Sequence, residues 1–186
     1  MIVFTDGISE QRLVARLQDA DAEARALLYE QSAGVLSSLC RRYITNEDDV
    51  RDILHDLCVK VFCNIDRFMY KGEGSLNAWM SRTLINLAIN TLRGQHKLEF
   101  VDLDEKLQFK EDIPDSSAVS ADVLHTLIRK LPDGYRTVLN LYALEGFSHK
   151  EIALKLGIRE STSASQYLRA KSLLQKNIRE YIKRKS

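Results

Sequence analysis

The chain has 186 residues, 45% of them apolar, and carries a formal net charge of +1. That length holds one domain or two small ones. With only two prolines and eight glycines, no sustained period-two alternation and no run of about 18 apolar residues, the sequence excludes a β-rich protein and a membrane-spanning one. A mostly helical chain remains. The near-zero total also hides an asymmetry: residues 1–95 carry −2, residues 96–117 carry −4 and residues 118–186 carry +7. A basic C-terminal part suits phosphates, whereas the acidic middle is repelled by DNA and suits a positively charged channel. The opening M-I-V-F-T-D-G lacks the basic region and long apolar core of a secretion signal, so a cytoplasmic protein is expected. Cys40, Cys58 and Cys63 are odd in number and lack C-x-x-C spacing, so buried, reduced thiols are expected and a metal site is not.

In chain order, Ser9–Leu17 predicts a short helix with Leu13, Val14 and Leu17 on one side. The segment from Asp21 to Tyr43 predicts a long helix whose inner line runs through Ala24, Leu27, Leu28, Gln31, Val35, Leu39 and Tyr43. Asn46 is a candidate N-cap, followed by three acids where the positive helix end favours them. From Glu47 to Ile65 the apolar positions Val50, Ile53, Leu54, Leu57, Val61, Phe62 and Ile65 keep helical spacing. The opposite side carries Asp52, His55 and Asp56. Two carboxylates one turn apart repel each other mildly, and a cationic partner would relieve that.

Residues 66–74, D-R-F-M-Y-K-G-E-G, predict a loop. Ser75 is the expected cap of a helix reaching Arg93, with Leu76, Met80, Leu84 and Leu87 inward and Trp79 in the core with one edge exposed. Arg82, Asn86, Asn90 and Arg93 share one face of it. Arginine and asparagine beside an aromatic are how proteins hold splayed single-stranded bases. Residues 96–118 form an acidic linker containing Pro114. A second helical unit follows, with Val123, Leu124, Leu127, Ile128 and Leu131 in one helix. After Pro132, a second helix is expected to pack Val138, Leu139, Leu141, Tyr142 and Leu144 inward and to end at Gly146.

The stretch Gly146–Lys171 reads as two helices joined by a turn. Ser148 and Glu151 form a capping-box pattern, Ile152, Ala153 and Leu156 make one apolar face, and Gly157 supplies the positive φ that ends the first helix. The second helix starts near Glu160–Ser161. Leu168, Leu173 and Leu174 are expected to hold it to the body, and its polar, partly basic side suits a DNA groove. An ordinary surface helix pair shares the turn alone; the combination with a polar second helix favours nucleic-acid binding.

Three segments carry a family resemblance. Asp52-Ile53-Leu54-His55-Asp56-Leu57-Cys58-Val59-Lys60-Val61-Phe62 resembles the D-L-L-Q-E-V-F-x-K-x-W helix of extracytoplasmic-function (ECF) RNA polymerase sigma factors. Trp79 through Arg93 resembles their W-L-x-x-I-A-x-N-x-x-x-D-x-x-R, and Leu131-Pro132 through Lys171 resembles their final helix-turn-helix domain. His55, Cys58, Asn90, Ser163 and Ala164 depart from the usual residues. The resemblance implies an all-α fold of two small domains: residues 9–95 like sigma domain two, a linker over 96–118, and residues 119–184 like sigma domain four. It further implies that Asp52, His55 and Asp56 bind core polymerase. Phe68, Lys71, Ser75, Trp79, Arg82, Asn86, Asn90 and Arg93 would hold the melted minus-ten strand. In the minus-thirty-five element, Ser165, Gln166 and Arg169 would read bases, and Ser161, Thr162 and Lys171 would contact phosphates. The implied partners are core RNA polymerase, through the clamp of its largest subunit and the flap of its second-largest, and promoter DNA, with room for an anti-sigma factor. No cofactor is implied.

Two other classes compete. A helix-turn-helix regulator that does not replace the sigma subunit, such as a response regulator, needs alternating strands and helices in residues 1–95, and no apolar β runs occur there. An enzyme needs a nucleophile–base pair, a phosphate-cradling glycine loop or metal spacing, and none is present in the sequence.

Overall fold

The computed structural model describes residues 8–95, 98 and 119–185. Every regular element among the described residues is helical. The chain divides into two compact units, Met1–Thr91 and Leu92–Ser186. No helix among the described residues is long and apolar enough to cross a membrane. The acidic linker expected over 96–118 lies outside the described residues except for Leu98.

The first unit is set by side-chain caps. Ser9 Oγ accepts the Arg12 N–H at the start of α1 (Glu10–Gln18). Asp21 accepts the amides of Glu23 and Ala24 to open α2 (Ala22–Cys40), and its other oxygen accepts Arg16 Nε at 2.6 Å. Asn46 does the same for α3 (Glu47–Asn64), through the amides of Asp48 and Asp49. A 3-10 turn (Ile65–Arg67) and a loop lead into α4 (Ser75–Gly94). The core brings together Leu13, Val14 and Leu17 of α1, Leu28 and Leu36 of α2, Val50, Ile53, Leu57 and Val61 of α3, and Leu76, Met80, Leu84 and Ala88 of α4. Burying each large aliphatic side chain contributes about 1.5–3 kcal/mol.

Two expectations about this unit change. The inner stripe of α2 is Ala24, Leu28, Ser32, Leu36 and Leu39, while Val35 is 41% exposed. Ser32 can occupy a core position because its hydroxyl donates to the Leu28 carbonyl at 2.6 Å. The cysteines also separate: Cys40 is buried, Cys58 half-buried and Cys63 exposed. Burial pushes the Cys40 thiol up to about 12, which makes it inert.

The second unit comprises α5 (Ala121–Arg129), α6 (Asp133–Leu139), a π turn (Asn140–Leu144), α7 (His149–Leu156) and α8 (Glu160–Lys185). α8 packs across α5, α6 and α7. Leu131, Leu139 and Ala170 form one buried cluster, with Ile128, Tyr135, Tyr167, Leu173 and Leu174 packed on it, and Val138, Leu141, Ile152 and Leu156 are buried as well. Arg136 is buried beside this core. Its Nη1 donates to the carbonyls of Arg129 at 3.1 Å and Leu131 at 2.8 Å, and its Nη2 pairs with Asp133. The inward packing expected of Tyr142 and Leu144 fails: they are 39% and 48% exposed. The π turn, closed by Glu145 N–H to Asn140 O at 3.0 Å, inserts extra backbone and rotates the following residues off the buried face.

Candidate nucleic-acid and polymerase interfaces

The loop before α4 is fastened from the far end of the sequence. Gln18 Nε2 donates to the carbonyls of Ile65 at 3.1 Å and Phe68 at 3.0 Å. Glu10, 2% exposed, supplies the helix cap. Its Oε2 accepts the Gly74 N–H at 2.9 Å, and its Oε1 accepts the Leu76 N–H at 2.8 Å and the Ser75 hydroxyl at 3.2 Å. A carboxylate there also faces the positive end of the α4 dipole. The expectation that Ser75 caps this helix is therefore corrected: Ser75 is the first helical residue, and its hydroxyl donates to Glu10. No local sequence signal could have found Glu10, because its partners lie more than sixty residues away.

The fastened loop lines a pocket of about 460 Å³. Phe68 and Trp79 meet there with ring centroids 5.0 Å apart and planes tilted by 31°. Arg67, Lys71 and Arg82 surround them, and Asn64, Met69 and Ser75 complete much of the wall; none of the described lining residues is acidic. The half-buried Trp79 offers one edge to the pocket. Of the sequence-predicted strand-binding residues, the structure brings Phe68, Lys71, Ser75, Trp79 and Arg82 together. Arg82, Asn86, Asn90 and Arg93 then continue as an exposed stripe along α4. Arg67 and Asn64 also line the pocket and are not among the residues singled out from the sequence, and Met69 lies within the loop expected to hold the strand. Arg67 stood in the loop between an acid and an aromatic, with no periodicity to mark it.

On α3, Asp52, His55 and Asp56 are all exposed on one side. Next to them a second hollow, about 640 Å³, lies between α2 and α3, with Tyr29, Arg51, Leu54, His55 and Phe62 in its walls. Arg25 sits 5.4 Å from the centroid of the Phe62 ring.

In the second unit, the capping box is complete. Ser148 Oγ accepts the Glu151 N–H at 3.3 Å, and Glu151 Oε2 accepts the Ser148 N–H at 2.8 Å. The Ser148 hydroxyl, which donates to Glu151 Oε2 at 2.7 Å, and then the Ser148 N–H hold the Glu151 carboxyl below its ordinary range. Gly157 ends α7 at φ +69°, a conformation that costs a side-chain-bearing residue about 1–2 kcal/mol. His149 stacks on Tyr142 with centroids 4.3 Å apart, and its Nδ1 lies 3.0 Å from Ser163 Oγ. Burial pulls the imidazole below its usual value.

The faces of α8 differ from expectation. Thr162 is 5% exposed and Gln166 is fully buried, so neither side chain reaches a groove, and both are withdrawn as DNA contacts. Ser163 is buried beside them, against His149. These polar residues form the inner face where α8 crosses α7, and hydropathy alone assigns them outward. Conversely, Leu168, expected in the core, is 43% exposed. Ser161 is exposed, and Ser165, Arg169 and Lys171 are half-buried. Ser165 Oγ donates to the Thr162 carbonyl at 2.9 Å, and Arg169 Nη1 donates to Tyr135 Oη at 3.4 Å.

A cationic aromatic pocket in one unit and a capped helix-turn-helix in the other are matched by two families in sequence. Residues 28–98 match the family described as Sigma-70 region 2, and residues 121–174 match the one described as Sigma-70, region 4. The chain is an ECF-type RNA polymerase sigma factor. An ECF RNA polymerase sigma-E factor from Haemophilus influenzae is 26% identical to it over 189 residues, spanning 94% of this chain and 98% of the relative. The sigma-E factor of Escherichia coli K12 is 25% identical over 194 residues, spanning 97% of this chain and 100% of the relative. That of Salmonella typhimurium LT2 is likewise 25% identical over 194 residues, with the same coverage. As an alternative sigma factor the chain joins core RNA polymerase and promoter DNA, and directs promoter-specific initiation.

Proposed function

We propose that residues 9–95 attach this sigma factor to core polymerase and capture the unpaired minus-ten strand, while residues 119–184 read the minus-thirty-five element. The observation that carries this reading is the pocket around Phe68 and Trp79. An aromatic pair gives an unpaired base a stacking surface, and Arg67, Lys71 and Arg82 meet its phosphates. Asn86, Asn90 and Arg93 extend the track along α4. Asp52, His55 and Asp56 present acid to the clamp of the largest polymerase subunit. The second unit rests on the flap of the second-largest subunit, with Ser161, Ser165, Arg169 and Lys171 towards the DNA. The acidic segment 96–118 threads a basic polymerase channel, and an anti-sigma factor restrains the protein in the cytoplasm.

A chain of net charge +1 attracts phosphates weakly, so the polymerase supplies most of the hold on DNA. Gel-shift titration tests this together with the docking face. The isolated chain is expected to bind promoter DNA feebly at physiological salt, and the holoenzyme tightly. Asp52→Lys combined with Asp56→Lys is expected to abolish core binding and run-off transcription. Unchanged core binding by that variant removes α3 from the interface, and nanomolar binding of duplex promoter by the free chain removes the division of labour.

A further inference from the structure

The outward stripe of the first three turns of α8 carries Ser161, Ala164, Ser165 and Leu168, at helical spacing. Thr162, Ser163, Gln166 and Ala170 occupy the buried side. No guanidinium or amide lies on the outward stripe. Of the nearby cations, Arg169 is half-buried and bonded towards Tyr135 at 3.4 Å, and Lys171, three residues beyond Leu168, is half-buried at the far end of the stripe. The Ser165 hydroxyl donates to the Thr162 carbonyl at 2.9 Å, so the proton is committed and the half-buried oxygen keeps acceptor capacity. Scattered exposed leucines are ordinary, as Leu154 on α7 illustrates at 79% exposure. Leu168 differs because it shares its stripe with Ala164 and with that acceptor, on the helix whose leading turns face bases.

Each base pair displays a fixed pattern in the major groove. Guanine offers only the N7 and O6 acceptors and calls for donors in a fork, as in arginine. Adenine offers the N6 amino donor, and thymine the sole apolar group, its C5 methyl. A hydroxyl acceptor suits the adenine N6 amino group, although cytosine N4 also donates, so the discrimination comes from the two apolar side chains, which match the thymine methyl and offer guanine no donor. We infer that Ala164 and Leu168 read thymine methyl groups, with Ser165 accepting from an adenine amino group, so that the minus-thirty-five element of this sigma factor is selected as A·T pairs. Ala164 and Leu168 are one helical turn apart, about 6 Å along the axis. That is close to two base steps of about 3.4 Å each.

This inference rests on placing α8 in the minus-thirty-five groove, and the experiment separates the two. Holoenzyme assembled from the full chain and purified core RNA polymerase selects from two pools of duplex DNA, one randomised in the minus-thirty-five region and one in the minus-ten region. Each thymine of the recovered element is then replaced singly by deoxyuridine, which removes only the methyl. A·T enrichment is expected, with one or two deoxyuridine positions weakening complex formation about three- to tenfold. Leu168→Ala, on an exposed site, is expected to cause a similar loss and to become insensitive to deoxyuridine at its own position; Ala164→Gly does the same at the other. An element discriminated by guanines, no effect of deoxyuridine anywhere, or a Leu168→Ala chain that stays sensitive at every position overturns the methyl reading while leaving α8 on the DNA. A randomised region that shows no enrichment, beside a minus-ten region that does, takes α8 off the DNA and overturns both.

Discussion

The two parts of this sigma factor proposed to meet DNA are held in opposite ways. In the first unit, the loop before α4 is fixed by residues far off in the sequence: Glu10 reaches Gly74 and Leu76, and Gln18 reaches Ile65 and Phe68. In the second, the start of α8 is fixed by neighbours: Ser148 with Glu151, the Gly157 turn, and His149 with Ser163. Their surfaces are opposite too. The pocket is rich in cations, whereas Ser161, Ala164, Ser165 and Leu168 on the outward stripe of α8 are uncharged, with Lys171 only at its far end, although their unit has the larger basic excess. Total charge thus predicts attraction to DNA but not which side chains read it.

Four substitutions break or sharpen this contrast. The largest effect is expected at Arg136, the one deeply buried basic side chain of the described second unit. Arg136→Ala leaves Asp133 and two carbonyls without their partner, at about 3–5 kcal/mol. Circular dichroism is expected to record early melting of the second unit with the first still folded; if both melt together, the units are not independent. Next is Glu10→Gln, which keeps one acceptor for three donors and costs about 1.5–3 kcal/mol. It is expected to weaken binding of a single-stranded minus-ten oligonucleotide while leaving core polymerase affinity intact. An unaltered oligonucleotide affinity means the loop does not need its distant fastening.

Gly157→Ala follows, at about 1–2 kcal/mol, because the turn requires φ +69°. Chemical denaturation monitored on the second unit gives the value, and no loss shows that local geometry does not hold the helix pair. The smallest effect concerns pH. Burial lowers the His149 pKa below its ordinary 6.5, so the unfolded chain takes up the proton first as pH falls. Stability from this group is therefore complete above about pH 6.5 and declines on acidification. The His149→Phe chain, which keeps the ring against Tyr142, is expected to lose less stability between about pH 7 and pH 5. An identical slope removes His149 from the balance.

The local devices were legible in the sequence. Caps at Asn46 and Ser148, the glycine turn at Gly157 and the regular apolar period of α3 are decided within a few residues, and they appear where the residues predict them. The face of α8 was not legible, because its buried side is built from Thr162, Ser163 and Gln166, which hydropathy sends outward, while Leu168 goes the other way. The π turn after Leu139 likewise shifts phase without a marker residue. Glu10 was the least legible. Nothing near it distinguishes a buried cap from a solvated acid at a helix start, and only the folded unit supplies its donors.

That carboxylate also sets an order of events during synthesis. Glu10 leaves the ribosome 64 residues before Gly74, the first of its backbone donors. At about 5–20 residues per second it waits roughly 3–13 s for a partner. Through that interval α1 carries a charge that cannot enter an apolar core alone, so it has to remain hydrated. The loop before α4 is therefore among the last pieces of the first unit to lock, and a chain interrupted before Gly74 lacks the completed pocket that is proposed to capture the strand.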